Sequence, residues 1–424
     1  MFYNYLKTQM GISEKVIDYV IKIEQGIAAL YAAADDIAAV NQLKVLNAMQ
    51  ECRLSDTHFN DSTGYGYDDE GRAALENIYA KVFKTEAALV RPQIISGTHA
   101  LATALFGNLR PGDVLFSPVG KPYDTLESVI GIRPASGSLA EYGITYRQVD
   151  LLEDGTFNYK EIHKHLAERP KMVTIQRSKG YSWRPSFTVQ QINELIECIR
   201  TASPETIILV DNCYGEFVEA DEPSHADLIV GSLIKNPGGG VATGGGYVAG
   251  KKECVEAAAE RLTAPGIGSA VGPSLGMTRG ILQGLFLAPS AVSASVKGAI
   301  LAASAFANLG FGVNPTENDT RTDIVQAIKL GTAQGVLAFC RAIQKAAPVD
   351  GFVTPEPAPM PGYAGGVIMA GGTFIQGSSI ELSADAPMRE PYIVYFQGGL
   401  TPAHSRTGVI YALDALYKEG LISL

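Results

Sequence analysis

The sequence is poor in the residues from which metal sites, disulfide frameworks and nucleic-acid surfaces are built. Its 424 residues include six histidines, one tryptophan and five cysteines, and only 18% of them are charged. The cysteines stand at positions 52, 198, 213, 254 and 340, without any CxxC spacing. We therefore expect neither a disulfide framework nor a metal site, and the scattered thiols favour a reducing, cytoplasmic compartment.

An excess of positive charge and a long apolar run are also missing. The chain has 34 Lys+Arg against 44 Asp+Glu, a net charge of −10, which argues against a general nucleic-acid binder. The most apolar stretch, 281–310, is interrupted by Pro289 and Lys297. The first ten residues lack the basic and apolar regions of a secretory signal. The sequence predicts a protein that does not enter a membrane.

The chain does have the apolar residues and turn residues of a large enzyme. Hydrophobic residues make up 46%, with 45 Gly and 22 Pro. The length suggests two or three domains. We expect a helical arm over residues 1–60, a large domain over 61–275 and a smaller C-terminal domain over 276–424.

Short apolar runs alternate with amphipathic segments through the predicted large domain. The predicted strands are 88–95, 113–117, 144–149, 172–176, 207–211, 228–231 and 246–249, and the helical patterns are 98–108, 159–167, 189–201 and 252–262. This alternation predicts an α/β fold with a mostly parallel sheet and helices on both of its faces. The smaller domain is predicted to be α+β, with helices 277–308 and 403–419 and strand-like segments 365–370 and 393–396.

The first of three unusual strand ends reads Ile-Ser-Gly-Thr-His from position 95. Ligands of parallel sheets bind at the carboxyl ends of the strands. The backbone amides of Gly97, Thr98 and His99 open a helix there and could bind an anion. A turn of small residues before a helix is also ordinary packing, so this segment alone leaves both interpretations open.

The other two strand ends carry charged side chains. Asp211 ends an apolar run, where a carboxylate could cap a helix, bind magnesium or pair with a ring cation. Ser232 and Lys235 lead into a glycine-rich loop. A buried lysine is costly unless its charge is used, or is removed by condensation with an aldehyde. If the segment from Ser232 to Lys235 is considered alone, an exposed lysine in a loop is the alternative interpretation.

Together the three strand ends match what pyridoxal phosphate requires: a glycine loop and a serine for the phosphate, an aspartate for the pyridine nitrogen, and a lysine for the aldehyde. The sequence resembles the aluminium-resistance, methionine gamma-lyase-related family of fold-type I pyridoxal-phosphate enzymes, in the cystathionine lyase branch. The segments that carry this resemblance are GYGYDDEGR (64–72), VRPQIISGTHA (90–100), QRSKGYSWRPS (176–186), GSLIKNPGGG (231–240), SSIELSADAP (378–387) and YFQGGLT (395–401).

The resemblance implies three catalytic residues. Lys235 matches the Schiff-base lysine, and Asp211 matches the partner of the pyridinium nitrogen. Tyr123 matches the aromatic ring that stacks on the cofactor, and it could also help in acid–base steps.

The resemblance also implies how the phosphate is held. Gly97 and Thr98 match the amides of the phosphate loop, with His99 beside them, and Ser232 matches the phosphate hydroxyl. Two further residues, Tyr65 and Tyr67, resemble the tyrosine that reaches the phosphate of a neighbouring subunit. Surface or interface packing is the alternative for that pair.

Three positions depart from the family pattern. Cys213 stands where a threonine usually follows Asp-Asn. Arg177 lies in the segment that replaces an asparagine loop, and we expect it to contact the ring oxygen of the cofactor. The arginine that binds the substrate carboxylate is not in its usual setting, and Arg389, or failing that Arg406, is the candidate.

The resemblance implies a carbon–sulfur lyase that acts on sulfur-containing amino acids by β- or γ-elimination, as a homodimer or homotetramer with shared active sites. The apolar segment 17–40 of the arm is expected to pack on a second chain, although it could also cover its own. An aminotransferase or racemase on the same fold, and a pyridoxal-phosphate-binding protein with a non-catalytic role in stress or metal tolerance, stay open as alternatives.

Overall fold

The computed structural model describes residues 1–360 and 365–424, which contain eleven α-helices and thirteen strands. The helices are α1 (Phe2–Met10), α2 (Glu14–Glu51), α3 (Glu70–Val82), α4 (Gly97–Asn108), α5 (Asp124–Ile130), α6 (Tyr159–Leu166), α7 (Val189–Ala202), α8 (Lys252–Leu262), α9 (Thr278–Asn308), α10 (Ala333–Ala346) and α11 (Pro402–Lys418). The strands are β1 (Ala87–Arg91), β2 (Val114–Ser117), β3 (Thr145–Gln148), β4 (Met172–Gln176), β5 (Ile207–Asp211), β6 (Leu228–Ser232), β7 (Gly246–Gly250), β8 (Gly312–Asn314), β9 (Gln326–Lys329), β10 (Ala358–Pro359), β11 (Gly366–Ala370), β12 (Ser383–Pro387) and β13 (Ile393–Gln397).

Seven strands form the larger sheet in the order β1-β7-β6-β5-β4-β2-β3. The pairs from β3 to β6 are parallel, whereas β7 is antiparallel to both β6 and β1. Along β5, Ile208 and Val210 pack on the side of α7, and Leu209 packs on the side of α4. Burial on both faces is why β5 reads as a continuous apolar run up to Asp211. The predicted α/β class with a mostly parallel sheet is confirmed.

A second sheet of six antiparallel strands has the order β10-β11-β12-β13-β9-β8. The sequence predicted β11 and β13 but missed the other four strands and helix α10. Strand β12 reads Ser-Ala-Asp-Ala-Pro, a composition with little β propensity, and it is held by pairing on both sides. The domain boundaries at residues 60 and 275 stay a prediction.

Much of the apolar face of the arm packs on its own chain, which is the alternative that the sequence left open, and packing on a second chain stays a prediction. Helix α2 packs against α9 of its own chain, and Val16, Val20 and Val45 are fully buried there. The side-chain amide of Asn41 donates to two backbone carbonyls near residue 217, which fixes the arm further. An amphipathic pattern shows that a helix needs a partner surface, but it does not say which surface.

Helix α9 is long and apolar enough to cross a membrane, and within the described ranges it alone meets that test. Most of its most apolar stretch is buried inside the fold, against α2 and α11. A buried helix of this kind is ordinary for a protein core, so α9 is weak evidence for a membrane span.

Candidate active site

A cavity of about 590 Å³ lies between the carboxyl ends of β4, β5 and β6 and the second sheet. One wall belongs to the larger sheet and its loops. Seven of the predicted site residues lie on that wall: Gly97, Thr98, Tyr123, Asp211, Cys213, Ser232 and Lys235. Residues distant in sequence therefore meet at one place, as the carboxyl-edge rule predicts.

The start of α4 packs closely on Ser232 and Cys213 because position 97 is glycine. A Cβ built there would lie 3.3 Å from the Cβ of Ser232 and 3.4 Å from the Sγ of Cys213. The side chain of Ser96 caps α4 by accepting from the amide of His99 at 3.1 Å. The helix therefore begins at the cavity, and glycine lets its amino end approach Ser232 closely, where helix amides can bind an anion.

His99 does not line the cavity, and its backbone amide donates to the hydroxyl of Ser96. Its Nδ1 accepts from the amide of Ile95 at 3.2 Å, and its ring is not among the residues that line the cavity. Burial lowers the pKa of His99, which favours the neutral imidazole that this hydrogen bond requires. The imidazole is thus part of the turn.

Tyr123 is held in place through its hydroxyl. The hydroxyl lies 2.8 Å from the Oγ1 of Thr98. The backbone amide of Tyr123 donates to the Oε1 of Gln176 at 2.8 Å. Burial, reinforced by the charge of Asp211, raises the pKa of Tyr123 above its usual value. The phenol therefore stays protonated and can donate a hydrogen bond.

Asp211 is buried at the end of β5, with one carboxylate oxygen accepting from the amide of Cys213 at 3.1 Å. Burial raises its pKa, and the charge of Lys235 opposes that rise. The described residues that follow β5 form turns and not a helix, so the predicted alternative of a helix cap is not met, and this contact closes a turn between Asp211 and Cys213. It involves one of the two carboxylate oxygens, and the side chain also lines the cavity.

Lys235 lies in the loop after β6 and faces the carboxylate of Asp211. Burial disfavours its charge, but Cys213, Tyr214 and Asp211 together raise the pKa of Lys235 well above its usual value. The Nζ lies 4.0 Å from the centre of the Tyr214 ring. Tyr214 has a left-handed backbone with φ of 73°, a conformation that is uncommon for a non-glycine residue.

The thiol of Cys213 is not a nucleophile in this setting. It is 5% exposed, and burial raises its pKa well above the usual value, so the neutral thiol persists at physiological pH. Cys213 instead packs beside Gly97 and contributes a compact wall to the cavity.

The expectation that Arg177 contacts a cofactor ring is not met. Its side chain is fully buried away from the cavity and donates to Asn212 at 2.8 Å and to Glu219 at 2.7 Å. Side chains alternate across a strand, so Gln176, one residue earlier, faces the cavity in its place.

Four other predicted residues lie outside the cavity. Tyr65 and Tyr67 are 73% and 64% exposed on the surface of their own chain. Arg389 is exposed as well, although its charge acts on Asp124 and Tyr395, which do line the cavity. Arg406, the weaker candidate, contacts Glu24 of the N-terminal arm.

Sequence reasoning missed most of the wall that the second sheet supplies. This wall includes Ser378, Ser379, Ser383, Asp385, Tyr395 and Gln397. The only signal available was their place inside two of the segments that carried the family resemblance. Tyr214 was also missed, although it follows Asp211 closely in sequence.

Comparisons with known proteins agree with this geometry. The chain belongs to the methionine gamma-lyase family, whose model matches residues 16–417. It is 50% identical over 406 residues to the uncharacterized protein YnbB of Bacillus subtilis, covering 95% of this chain and 96% of that one. The expected resemblance is confirmed.

Solved structures give the same result for the fold. A carbon-sulfur lyase involved in aluminum resistance from Clostridium novyi has a TM-score of 0.93 at 49% identity, covering 97% of this chain and 98% of that one. A pyridoxal-5'-phosphate-dependent protein from Escherichia coli, YhfS, has a TM-score of 0.60 at 16% identity, over 90% of this chain and 96% of that one. The second likeness shows a shared fold alone.

Proposed function

We propose that the protein is a pyridoxal-phosphate-dependent carbon–sulfur lyase that acts on sulfur-containing amino acids in the cytoplasm. The observation that carries this proposal is the meeting of Lys235, Asp211 and the Gly97 turn in one cavity. The residues fit the cofactor, because glycine lets the amino end of α4 lie close to Ser232 at the cavity and Asp211 offers a buried carboxylate. All five cysteines are free, which suits a reducing compartment.

Each residue has a distinct task in this proposal. The amides of the Gly97 turn and the hydroxyl of Ser232 hold the phosphate, and Tyr123 supports the ring. When bound, the cofactor supplies an electron-poor ring that stabilises negative charge at the Cα of an attached amino acid. Asp211 keeps the ring nitrogen protonated by opposing its charge.

Lys235 is the proton carrier of the proposed reaction. With the cofactor and substrate bound, the Nζ of Lys235 would take the Cα proton and could return it to the departing sulfur. The chemistry that the cofactor would supply is loss of a thiol from Cβ, with hydrolysis to a 2-oxo acid and ammonia. Arg389, close to Asp124 and Tyr395 at the edge of the cavity, is proposed to attract the substrate carboxylate.

A product assay tests the proposed reaction. Purified protein with added cofactor is incubated with L-cystathionine, L-methionine and S-alkyl cysteines, and released thiol and 2-oxo acid are measured. Equal amounts of both products support a lyase. Transfer of the amino group to 2-oxoglutarate, without thiol release, would show an aminotransferase instead. Cofactor binding with no turnover of any kind would support the non-catalytic alternative.

We predict that borohydride treatment of the yellow holoprotein attaches a pyridoxyl group to Lys235. The reason is that Lys235 is the only lysine lining the cavity among the described residues. Peptide mapping by mass spectrometry locates the label. A label on the buried Lys179, or no label, contradicts the assignment.

The exposed tyrosine loop supports a site shared between subunits. The carbonyl of Tyr65 accepts from the amide of Gly272 at 2.9 Å, and Arg72 donates to the carbonyl of Gly66 at 2.6 Å. The backbone of the loop is thus fixed while both tyrosine rings face solvent, 5.6 Å apart. We propose that in a homodimer or homotetramer these hydroxyls reach the phosphate of a second chain.

Subunit mixing is expected to restore activity if the site is shared. One parent carries Lys235→Ala and the other carries Tyr65→Phe with Tyr67→Phe. Random exchange makes half of the dimers mixed, and each has one intact site, so about one quarter of the wild-type activity returns.

Fluorescent labels on the two parents report whether subunits exchange, and each parent incubated alone is the control. Proven exchange without any gain in activity would place the tyrosines with their own chain.

A further inference from the structure

The wall of the cavity that belongs to the second sheet is polar, and none of the described residues that line it is a cation. Ser378 and Ser379 are 2% and 5% exposed, and their hydroxyl oxygens have no hydrogen-bond partner in the protein. The hydroxyl of Ser383 is likewise buried and unpartnered. Buried polar groups without partners are rare and costly, so three on one cavity wall indicate that a ligand satisfies them.

Asp385 is the charged group of this wall. It lies in the middle of β12, opposite Tyr395 of β13, and its carboxylate accepts from the Nε2 of Gln397 at 3.2 Å. The Tyr181 hydroxyl is its second hydrogen-bond partner. Among the described residues that line the cavity Lys235 is the sole cation, and it contacts Tyr214 and faces Asp211. Asp385 therefore lacks a cation of its own.

Burial raises the pKa of Asp385 to about 7, against the opposing hydrogen bonds from Tyr181 and Gln397. A cation that binds beside this carboxyl lowers its pKa and favours the negatively charged form. An anion at the same place would instead meet a carboxylate or force it to take up a proton. The charge of the wall thus favours a cationic ligand.

We propose that Asp385, with the hydroxyls of Ser379 and Ser383, is a subsite for an ammonium group on the departing thiol of the substrate. This inference rests on the proposed function and narrows it to amino acids whose sulfur-linked side chain ends in an amine. An ammonium has three N–H donors, and the carboxylate and two serine oxygens supply three acceptors. Asp385 is then a residue that determines specificity.

Two substrates of nearly equal shape test the subsite. S-(2-aminoethyl)-L-cysteine ends in an ammonium where S-propyl-L-cysteine ends in a methyl group, and S-(carboxymethyl)-L-cysteine carries the opposite charge. The wild type is expected to prefer the aminoethyl over the propyl compound about tenfold or more in kcat/KM, the size of one buried charge-assisted contact. Asp385→Asn is expected to abolish that ratio, because the amide is neutral.

Asp124→Asn is the matched control, because it removes a negative charge from a different part of the cavity lining. It is expected to keep the preference. An unchanged preference in Asp385→Asn, an equal loss on both compounds, or a wild-type preference for the carboxymethyl compound would overturn the subsite.

A binding measurement separates failure of the subsite from failure of the proposed reaction. Calorimetry with the Lys235→Ala protein reports binding of the same three compounds without turnover. If no compound is cleaved by the wild type but the aminoethyl compound still binds more tightly, the lyase proposal is wrong and the subsite stands. If cleavage occurs without an ammonium preference in either measurement, the lyase proposal stands and the subsite is wrong.

Discussion

Replacing Lys235 by alanine is expected to lower the turnover of sulfur amino acids by at least about 1000-fold, because general acid–base groups typically contribute 100- to 10,000-fold. The Nζ of Lys235 faces Asp211 and lies against the ring of Tyr214. Because Lys235 is the only lysine among the described residues that line the cavity, no other amine there could take the Cα proton. Released 2-oxo acid, measured with excess cofactor, gives the rate. The melting temperature checks that the variant is folded.

Two further measurements make this prediction specific. A small primary amine such as methylamine, added to Lys235→Ala, is expected to restore part of the rate because it replaces the missing base. Lys164→Ala is the control, since Lys164 is an exposed lysine on α6 whose ion pair with Glu161 is a surface pair of little energetic value. A Lys235→Ala protein with near-normal rates would remove Lys235 from the mechanism.

The part of the site that could be predicted lies at the ends of parallel strands. Strands β4 and β5 are short, mostly apolar runs buried on both faces, so their bounds and their terminal residues were readable. The carboxyl edge of a sheet then brings its terminal residues together whatever their distance in sequence. Gly97, Asp211 and Lys235 were found in this way.

The wall supplied by the second sheet could not be predicted in the same way. Asp385 lies inside β12, a strand of low β propensity that is defined by pairing with β11 and β13. Its function depends on which face of that strand meets the cavity, and a shift by one residue would reverse the face. Only the packed structure fixes that register.

Arg177 shows the same limit within the larger sheet. It was expected to replace an asparagine at the cofactor ring, whereas it forms buried ion pairs with Glu219 and Glu222. A buried arginine needs acidic partners, and these partners lie about forty residues away in sequence, in a loop without a readable pattern. The segment was correctly placed near the site, but the direction of its side chains was not.

Replacing Asp211 by asparagine is expected to slow the exchange of the substrate Cα proton by about 100-fold, or about 2.7 kcal/mol. The buried carboxylate is proposed to oppose the positive charge of the protonated ring nitrogen, and this attraction is large where water is excluded. Asparagine keeps the size of the side chain and an oxygen that can still accept from the amide of Cys213. Exchange into deuterated water, followed by NMR with a substrate analogue that lacks a leaving group, measures the step directly. If Asp211 served only as a cap of the following turn, the asparagine variant would exchange at the wild-type rate, because the cap is preserved and only the charge is lost.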